Sequence, residues 1–148
     1  MKFLNLFRIP AICIWLVFSL SIVGCKKTEG PGGTSTITGK VIVHDFDGAF
    51  QNPVPIQIHP VAKEDTYIIY GTEHATYDDN FKTSFDGSYE FKYLQKGKYR
   101  LFAYSKDSTG AKTGILKDLK IPVFIDVEIT SNGSTINAPD IIILDNKQ

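Results

Sequence analysis

Three histidines are the first residues in this sequence whose side chains commonly bind metal ions. His44, His59 and His74 are spaced 15 residues apart. Protein metal sites usually include two ligands close together in sequence, such as histidines four residues apart on a helix, and no such pair occurs here. We therefore expect three solvated surface histidines and no metal site.

The segment Asp45-Phe46-Asp47-Gly48 combines two carboxylates with a glycine, as calcium-binding loops do. Such a loop also needs a downstream glutamate that binds the ion with both oxygens, and that glutamate is missing. The segment Asp78-Asp79-Asn80 adds a second acidic stretch. We expect an ordinary turn at residues 45–48, with fortuitous calcium binding as the alternative.

Catalytic motifs and a strong net charge are both missing. The sequence has no G-x-S-x-G turn, no phosphate-binding loop and no paired catalytic carboxylates. Basic and acidic residues balance at 16 each, and without residues 1–24 the counts are 14 and 16, a net charge of −2. A weakly acidic domain has no electrostatic reason to bind nucleic acid. We expect a protein that is not an enzyme, needs no cofactor and binds no nucleic acid.

Six tyrosines offer rings on which sugars could stack. They are Tyr67, Tyr70, Tyr77, Tyr89, Tyr93 and Tyr104. Aromatic residues in strands more often pair across strands or fill a core. The single tryptophan, Trp15, lies in the N-terminal segment, which weakens the case for glycan binding. An exposed tyrosine platform near residues 74–80 would strengthen it.

Residues 1–24 have the layout of a secretory signal peptide. Two basic residues precede an apolar stretch over residues 9–23, which is shorter than the roughly 20 residues needed to span a bilayer. The junction Ile22-Val23-Gly24-Cys25 resembles the bacterial lipobox. The resemblance implies cleavage between Gly24 and Cys25, a diacylglyceryl group on the Cys25 sulfur and acylation of the new amino terminus.

Residues 25–35 are predicted to be the lipidated cysteine and a flexible tether, because the segment after Cys25 has no apolar side chain to pack. Ten extended residues reach about 30 Å. Lys26, rather than aspartate, after the cysteine favours the outer membrane as the location in the cell envelope. The membrane is then a partner through the lipid anchor, and the periplasmic and surface faces stay open as alternatives.

From Thr36 the apolar residues recur with period two, which is typical of strands. Asp86-Gly87 and Asn132-Gly133 supply tight turns. One candidate helix, 111–120, is weakened by Gly114. The domain at 36–148 is therefore predicted to be all-β, an antiparallel sandwich of seven strands or so. The predicted strands are 37–44, 54–60, 66–70, 81–85, 88–94, 98–105, 121–129 and 138–144.

Three blocks, "ITGKVIVHDFDGAFQNPVPIQIHP", "TSFDGSYEFKYLQKGKYRLFAY" and "VEITSNGSTINAPDIIIL", resemble the carboxypeptidase regulatory-like, or prealbumin-like (transthyretin-like, Cna B-type), β-sandwich. The resemblance implies a Greek-key-type sandwich that binds, braces or connects. The motif positions are Gly39, Val41, Pro53, Pro55, Thr83, Asp86, Gly87, Tyr89, Phe91, Leu94, Gly97, Tyr99 and Leu101.

Two kinds of chemistry known on this fold are not expected here. The transthyretin-related hydrolases of purine breakdown end in Tyr-Arg-Gly-Ser, whereas the pair Tyr99-Arg100 continues into leucine. Cna B-type adhesin domains form a Lys–Asn isopeptide beside a buried carboxylate. Lys40 and Asn137 are the candidate partners, but the strand at 98–105 lacks the acidic residue and the alternation turns Lys40 toward solvent.

The sequence thus favours a lipid-anchored, non-enzymatic module of the cell envelope for protein interaction or structural support. Its partner would be another envelope protein that adds a strand to an exposed sheet edge. The alternative is a glycan-binding accessory lipoprotein, whose partner is polysaccharide. A third interpretation, an envelope hydrolase, predicts a polar cleft with perturbed titratable groups, and no sequence feature points to one.

Overall fold

The computed structural model describes residues 29–48, 50–73, 75–113 and 119–147. Strands dominate these residues and form two packed sheets, so the prediction of an all-β sandwich is confirmed. The elements are β1 (Pro31–Asp47), β2 (Gln57–Pro60), β3 (Asp65–Tyr70), β4 (Asp79–Lys82), β5 (Ser88–Leu94), β6 (Gly97–Lys106), α1 (Ser108–Thr113), β7 (Lys120–Ile129), β8 (Thr135–Asn137) and β9 (Ile141–Lys147).

Strand β1 is the centre of the first sheet. On one side its first half pairs with β5 and its second half with β2, both antiparallel. On its other side β8 and β9 run parallel to it, so the antiparallel expectation is wrong for these two strands. The reason is that β7 ends beside the start of β1, and the turn at 130–134 carries the chain into the first sheet at that same end.

The second sheet has the order β4-β3-β6-β7 and is antiparallel throughout. Its longest pairing joins β6 and β7 over ten residue pairs, from Gly97↔Ile129 to Lys106↔Lys120. The alternation of residues 121–129 therefore does reflect a strand, with one face on the core and one toward solvent.

The core lies between the sheets and is made of the inward residues of both. Gly39 on β1 leaves room for the buried ring of Tyr89, since a Cβ there would lie 2.3 Å from the Tyr89 hydroxyl oxygen. The buried apolar residues of the cluster are Ile37, Val41, Val43, Ile68, Tyr89, Phe91, Leu94, Tyr99, Leu101, Ala103, Val127, Ile129, Ala138, Ile141 and Ile143.

The folded part begins earlier than the sequence predicted. Pro31–Ser35 belongs to β1 rather than to the tether, and Ser35 is fully buried. Before it, the backbone N–H of Gly30 donates to the hydroxyl of buried Tyr99 (3.1 Å), and that hydroxyl donates to the Gln95 carbonyl (2.7 Å). Glycine and threonine residues that looked like linker are thus tied into the sheet, because backbone hydrogen bonds need no apolar side chain.

Two polar motif residues hold the turns beside β5. The Thr83 hydroxyl donates to the Val61 carbonyl (2.6 Å) and accepts from the Glu64 N–H (2.9 Å), which fixes the connection between β2 and β3. Asp86 accepts from the Ser88 backbone and hydroxyl, and the turn closes on Gly87 with φ of 76°. The predicted Asp-Gly turn is confirmed.

The boundaries of three other elements differ from the predicted ones for local reasons. The predicted strand 54–60 is a strand only at Gln57–Pro60, since the preceding prolines cannot donate to a ladder. The predicted strand 138–144 corresponds to β9, which begins only at Ile141, after Pro139, and the short strand β8 at Thr135–Asn137 was not predicted. Helix α1 (Ser108–Thr113) begins three residues before the predicted helix 111–120, because Asp107 caps its start by accepting from the Thr109 N–H (2.9 Å). Residues 114–118 of that prediction lie outside the described residues.

Candidate functional site

The outer face of the second sheet carries a cluster of five aromatic rings, here called the aromatic face. It consists of Tyr67, Tyr77, Phe102, Tyr104 and Phe124. Register explains the cluster, since Tyr67 on β3 lies opposite Phe102 on β6, which lies opposite Phe124 on β7. Residues directly opposite one another point to the same side of a sheet, so three strands present a row of rings.

The rings are packed against one another in defined geometries. Tyr67 stacks on Phe102 with centroids 4.9 Å apart and planes at 18°. Tyr77, from the connection between β3 and β4, contacts Tyr67 at 4.7 Å, and Tyr104 meets Phe102 edge-on at 5.6 Å. Such contacts stabilise by about 0.5–1.5 kcal/mol each beyond the buried area, so the arrangement is pre-organised.

Exposure separates the base of this cluster from its surface. Phe102 is only 5% exposed and is the base, covered by its neighbours. Tyr77 at 53%, Phe124 at 50% and Tyr104 at 38% remain open to solvent. An exposed group of large aromatic residues rimmed by charges is typical of a binding surface rather than of a core.

A small cavity of about 140 Å³ opens among these rings. Ile69 and Phe102 form its buried part, while Tyr104 and Phe124 flank it. Pro122, from the edge strand β7, completes the apolar lining, and the Arg100 guanidinium is its charged group. The cavity suits one small apolar group of a ligand that also offers a hydrogen-bonding edge.

Beside the aromatic face lies a polar shelf formed by Thr72, Lys98, Arg100, Asp126 and Glu128, around a cavity of about 340 Å³. Arg100 donates two hydrogen bonds to Asp126, from Nε to Oδ1 at 2.7 Å and from Nη2 to Oδ2 at 2.9 Å. Its Nη1 also donates to the Thr72 carbonyl (3.3 Å). The guanidinium therefore has a fixed orientation.

Charge and ring contacts couple the shelf to the aromatic face. The guanidinium carbon of Arg100 lies 5.4 Å from the centre of the Phe124 ring, a cation–π contact. Hydrogen bonding from Arg100 lowers the pKa of Asp126, and the same bond raises the pKa of Arg100. At neutral pH the shelf thus presents a stable ion pair with spare donors and acceptors next to apolar rings.

Sequence reasoning found part of this surface. Tyr67, Tyr77 and Tyr104 come together close to the segment 74–80, as a tyrosine platform would require. The other three tyrosines lie elsewhere: Tyr70 packs on Tyr99, Tyr89 is in the core and Tyr93 is exposed on β5. Phe102 and Phe124 were missed. Their signal was the alternation Arg100-Phe102-Tyr104 and Phe124-Asp126 along two strands.

A third cavity, of about 300 Å³ and here called the distal cleft, lies at the end of the sandwich opposite the start of β1. Buried Asp45 lines it, with Oδ2 3.1 Å from Nε2 of His59, whose Nδ1 lies 2.9 Å from the Pro60 carbonyl oxygen. Burial raises the pKa of Glu64, and Lys120 opposes that rise. No motif in the sequence predicted this polar cleft.

The predictions for the histidines and for residues 45–48 need correction. His59 is not merely solvated, because it pairs with a carboxylate that is 1% exposed. Asp45 and Asp47 lie in β1 instead of a turn. His44 is half-buried on the outer side of the same strand, and His74 lies outside the described residues. Among the residues that the structure describes, no group of His, Cys, Asp and Glu side chains is arranged to hold a metal ion.

The cross-linking candidates are not arranged for reaction. Lys40 is exposed, as the alternation predicted, and it pairs with Asp86 at 3.5 Å. Asn137 contacts the Thr38 hydroxyl instead (3.3 Å). Tyr99 is a buried anchor for the backbone, and Arg100 belongs to the shelf.

Gly24 and Cys25, the predicted cleavage and lipidation residues, lie outside the described residues. Over the described ranges, no helix has the length and apolar character needed to cross a bilayer.

Comparison with known proteins gives little further information. No family model and no curated protein matches the chain. A solved structure of a "putative carbohydrate binding protein" from Pseudomonas aeruginosa aligns with 80% of this chain and 92% of its own, at 10% identity and a TM-score of 0.45. That likeness is too distant to bear on fold or ligand.

Proposed function

We propose that this chain is a lipid-anchored, non-enzymatic module of the cell envelope whose aromatic face binds polysaccharide. The observation that carries the proposal is the aromatic face, where exposed Tyr77, Tyr104 and Phe124 surround the buried ring of Phe102. This face adjoins the Arg100–Asp126 shelf. A sugar ring has an apolar C–H face and a hydroxyl edge. Rings beside fixed donors and acceptors match both parts at once.

The surface is also long enough for an extended ligand. Lys98 and Tyr104 point outward at the two ends of β6 and are six residues apart, about 20 Å at strand rise. An oligosaccharide lying along β6 would contact the polar shelf near the start of the strand and the aromatic rings near its end. We therefore expect binding to chains of several sugars in preference to a single sugar.

The distal cleft does not support a catalytic role for the domain. Both ring nitrogens of His59 are already within hydrogen-bond distance of oxygen acceptors, so neither is free to activate a nucleophile. Among described residues the lining contains no serine, threonine or cysteine. We therefore keep the proposal of a binding protein.

The binding proposal is tested by incubating the detergent-solubilised lipidated protein with a panel of insoluble polysaccharides and measuring the fraction that sediments. Soluble polysaccharides are tested by affinity gel electrophoresis. We expect retention on at least one polysaccharide, weakened by Phe124→Ala and unchanged by Phe85→Ala, a 95% exposed aromatic outside the aromatic face. Equal retention of the two variants, or no retention across the panel, would contradict the proposal.

Anchoring through Cys25 is supported by the lipobox resemblance at residues 22–25 and by the start of the fold at Gly30, directly after a short connecting segment. Two or three acyl chains hold a protein on a bilayer where one does not. Radiolabelled fatty acid should enter the wild type and not Cys25→Ser, with the label in outer-membrane fractions. Equal labelling of both proteins would refute the anchor.

A second candidate function is binding of another envelope protein by the outer face of the first sheet. Ile42 on β1 lies between Pro60 of β2 and Ile142 of β9, and Ile58 and Ile142 are 56% and 46% exposed. Apolar side chains grouped on one face suit a protein partner. A photocrosslinking residue at Ile142 should capture one defined protein in envelopes, and the same probe at Phe85 should not. Identical capture from both positions would reject this surface.

A further inference from the structure

The end of the sandwich where the chain enters is held together by hydrogen bonds to backbone carbonyls. The Gln95 N–H donates to the Gly30 carbonyl (2.9 Å), and its side-chain amide donates to the Pro31 carbonyl (2.8 Å). The Ser35 hydroxyl donates to the Ser131 carbonyl (3.1 Å). The turns after β5 and β7 therefore surround the point where β1 begins, and we call this the entry end.

The covalent chain limits how far the entry end lies from Cys25. Five peptide steps separate Cys25 from Gly30, which span no more than about 18 Å when fully extended. Strand β6 alone, with ten residues, is about 33 Å long. If Cys25 carries lipid, the entry end must therefore stay within about 18 Å of the bilayer surface.

Tyr93 is an exposed aromatic residue at this end. Its φ is 59°, a left-handed conformation that a bulky residue rarely adopts, and its side chain is 70% exposed. The distortion lies at a bulge where Leu94 pairs with both Pro31 and Ser35. It lets Leu94 enter the core while its neighbour Tyr93 stays outside, although strict alternation would bury Tyr93 with Phe91.

The chemistry around Tyr93 is that of a membrane interface. Lys92 and Lys96 are both exposed beside it. Tyrosine places an apolar ring among acyl chains and its hydroxyl among headgroups, and lysine extends a charged tip over an apolar stem. Lys92 is paired with Glu90 at 2.8 Å, so its charge is already balanced within the protein. We therefore expect the tyrosine ring to contribute more to membrane contact than attraction between lysine and anionic lipid does.

We propose that the entry end lies on the lipid surface with the Tyr93 ring in the headgroup region. This inference rests on the proposed anchoring at Cys25. The strands then stand away from the membrane, with the polar shelf nearer to it than the rings of the aromatic face. Phe102 lies five residues beyond Gly97 along β6, about 17 Å farther from the bilayer.

The test uses an introduced tryptophan as a fluorescent probe, since the chain after residue 24 has no tryptophan of its own. Full-length Tyr93→Trp and Phe85→Trp are produced in a host that processes lipoproteins, and the mature proteins are reconstituted into phosphatidylcholine vesicles with or without brominated acyl chains. Phe85 is the matched control, because it is exposed and the neighbouring Gly87 packs beside Pro60 and Val61, far from the entry end. Flotation with the vesicles is measured in parallel, with Cys25→Ser as the unanchored control.

We expect both tryptophan variants to float and Cys25→Ser to remain below. Only Tyr93→Trp should show a blue-shifted emission that brominated lipid quenches. Flotation without selective quenching of Tyr93→Trp would overturn the orientation while leaving the anchor intact. Failure of the variants and of the wild type to float would refute the anchor, and the proposal would fall with it.

Discussion

Replacing Phe124 with alanine removes a half-exposed ring from the aromatic face. An aromatic side chain buries about 200 Å², so its 50% exposure leaves roughly 100 Å² for a ligand to cover. At about 25 cal/mol per Å² full coverage contributes about 2.5 kcal/mol. Coverage by a sugar over half of that area contributes about 1.2 kcal/mol. The expected loss of affinity for Phe124→Ala is therefore between about eightfold and about sixtyfold.

Isothermal titration calorimetry with an oligosaccharide from a polysaccharide that binds the wild type would measure this loss. The melting temperature is recorded for each variant, because Phe124 also contacts Phe102 (5.3 Å) and its removal lowers stability somewhat. Phe85→Ala is the control for a lost exposed ring. A folded Phe124→Ala variant with wild-type affinity would refute the assignment of the ligand to this face.

Three further predictions concern stability. Gly39→Ala should lower the free energy of unfolding by about 1–3 kcal/mol in chemical denaturation, because the added Cβ would contact the Tyr89 ring. A variant as stable as the wild type would show that the ring can move. Tyr99→Phe should cost about 1–3 kcal/mol and raise hydrogen exchange at Gly30, and unchanged exchange there would contradict the role of the hydroxyl. Asp126→Asn should lower stability most at neutral pH. A carboxyl group whose pKa is lowered in the folded state stabilises the protein above its unfolded pKa near 3.8, and this contribution is lost as the pH falls through the folded pKa. A loss of stability that does not depend on pH would exclude this ion pair as the cause.

Local patterns sufficed for most of the fold. The strand β5 agrees residue for residue with the prediction, because Asp86-Gly87 marks its start and the turn Gln95-Lys96-Gly97 marks its end. The start of β1 could not be predicted, since Pro31–Ser35 is held by backbone bonds to β5 and by the Tyr99 anchor at Gly30. These are contacts between residues about 60 to 70 positions apart.

The candidate site shows the same division between local and long-range information. Outward rings on β6 follow from alternation, but the row needs the register that puts Phe102 opposite both Tyr67 and Phe124. A shift of one residue would turn Phe124 to the other side of the sheet. Likewise, the partnership of Asp45 with His59 depends on how β1 and β2 pair, and that pairing has no signature in either segment.

Binding of polysaccharide by the aromatic face can be tested by amide chemical-shift mapping of the isotope-labelled protein with a bound oligosaccharide. We expect shifts concentrated at the outward positions of β6 and β7, around Arg100, Phe102 and Phe124, and in the adjoining connection at Tyr77. Shifts concentrated instead around Asp45 and His59 would place the ligand in the distal cleft and contradict the claim.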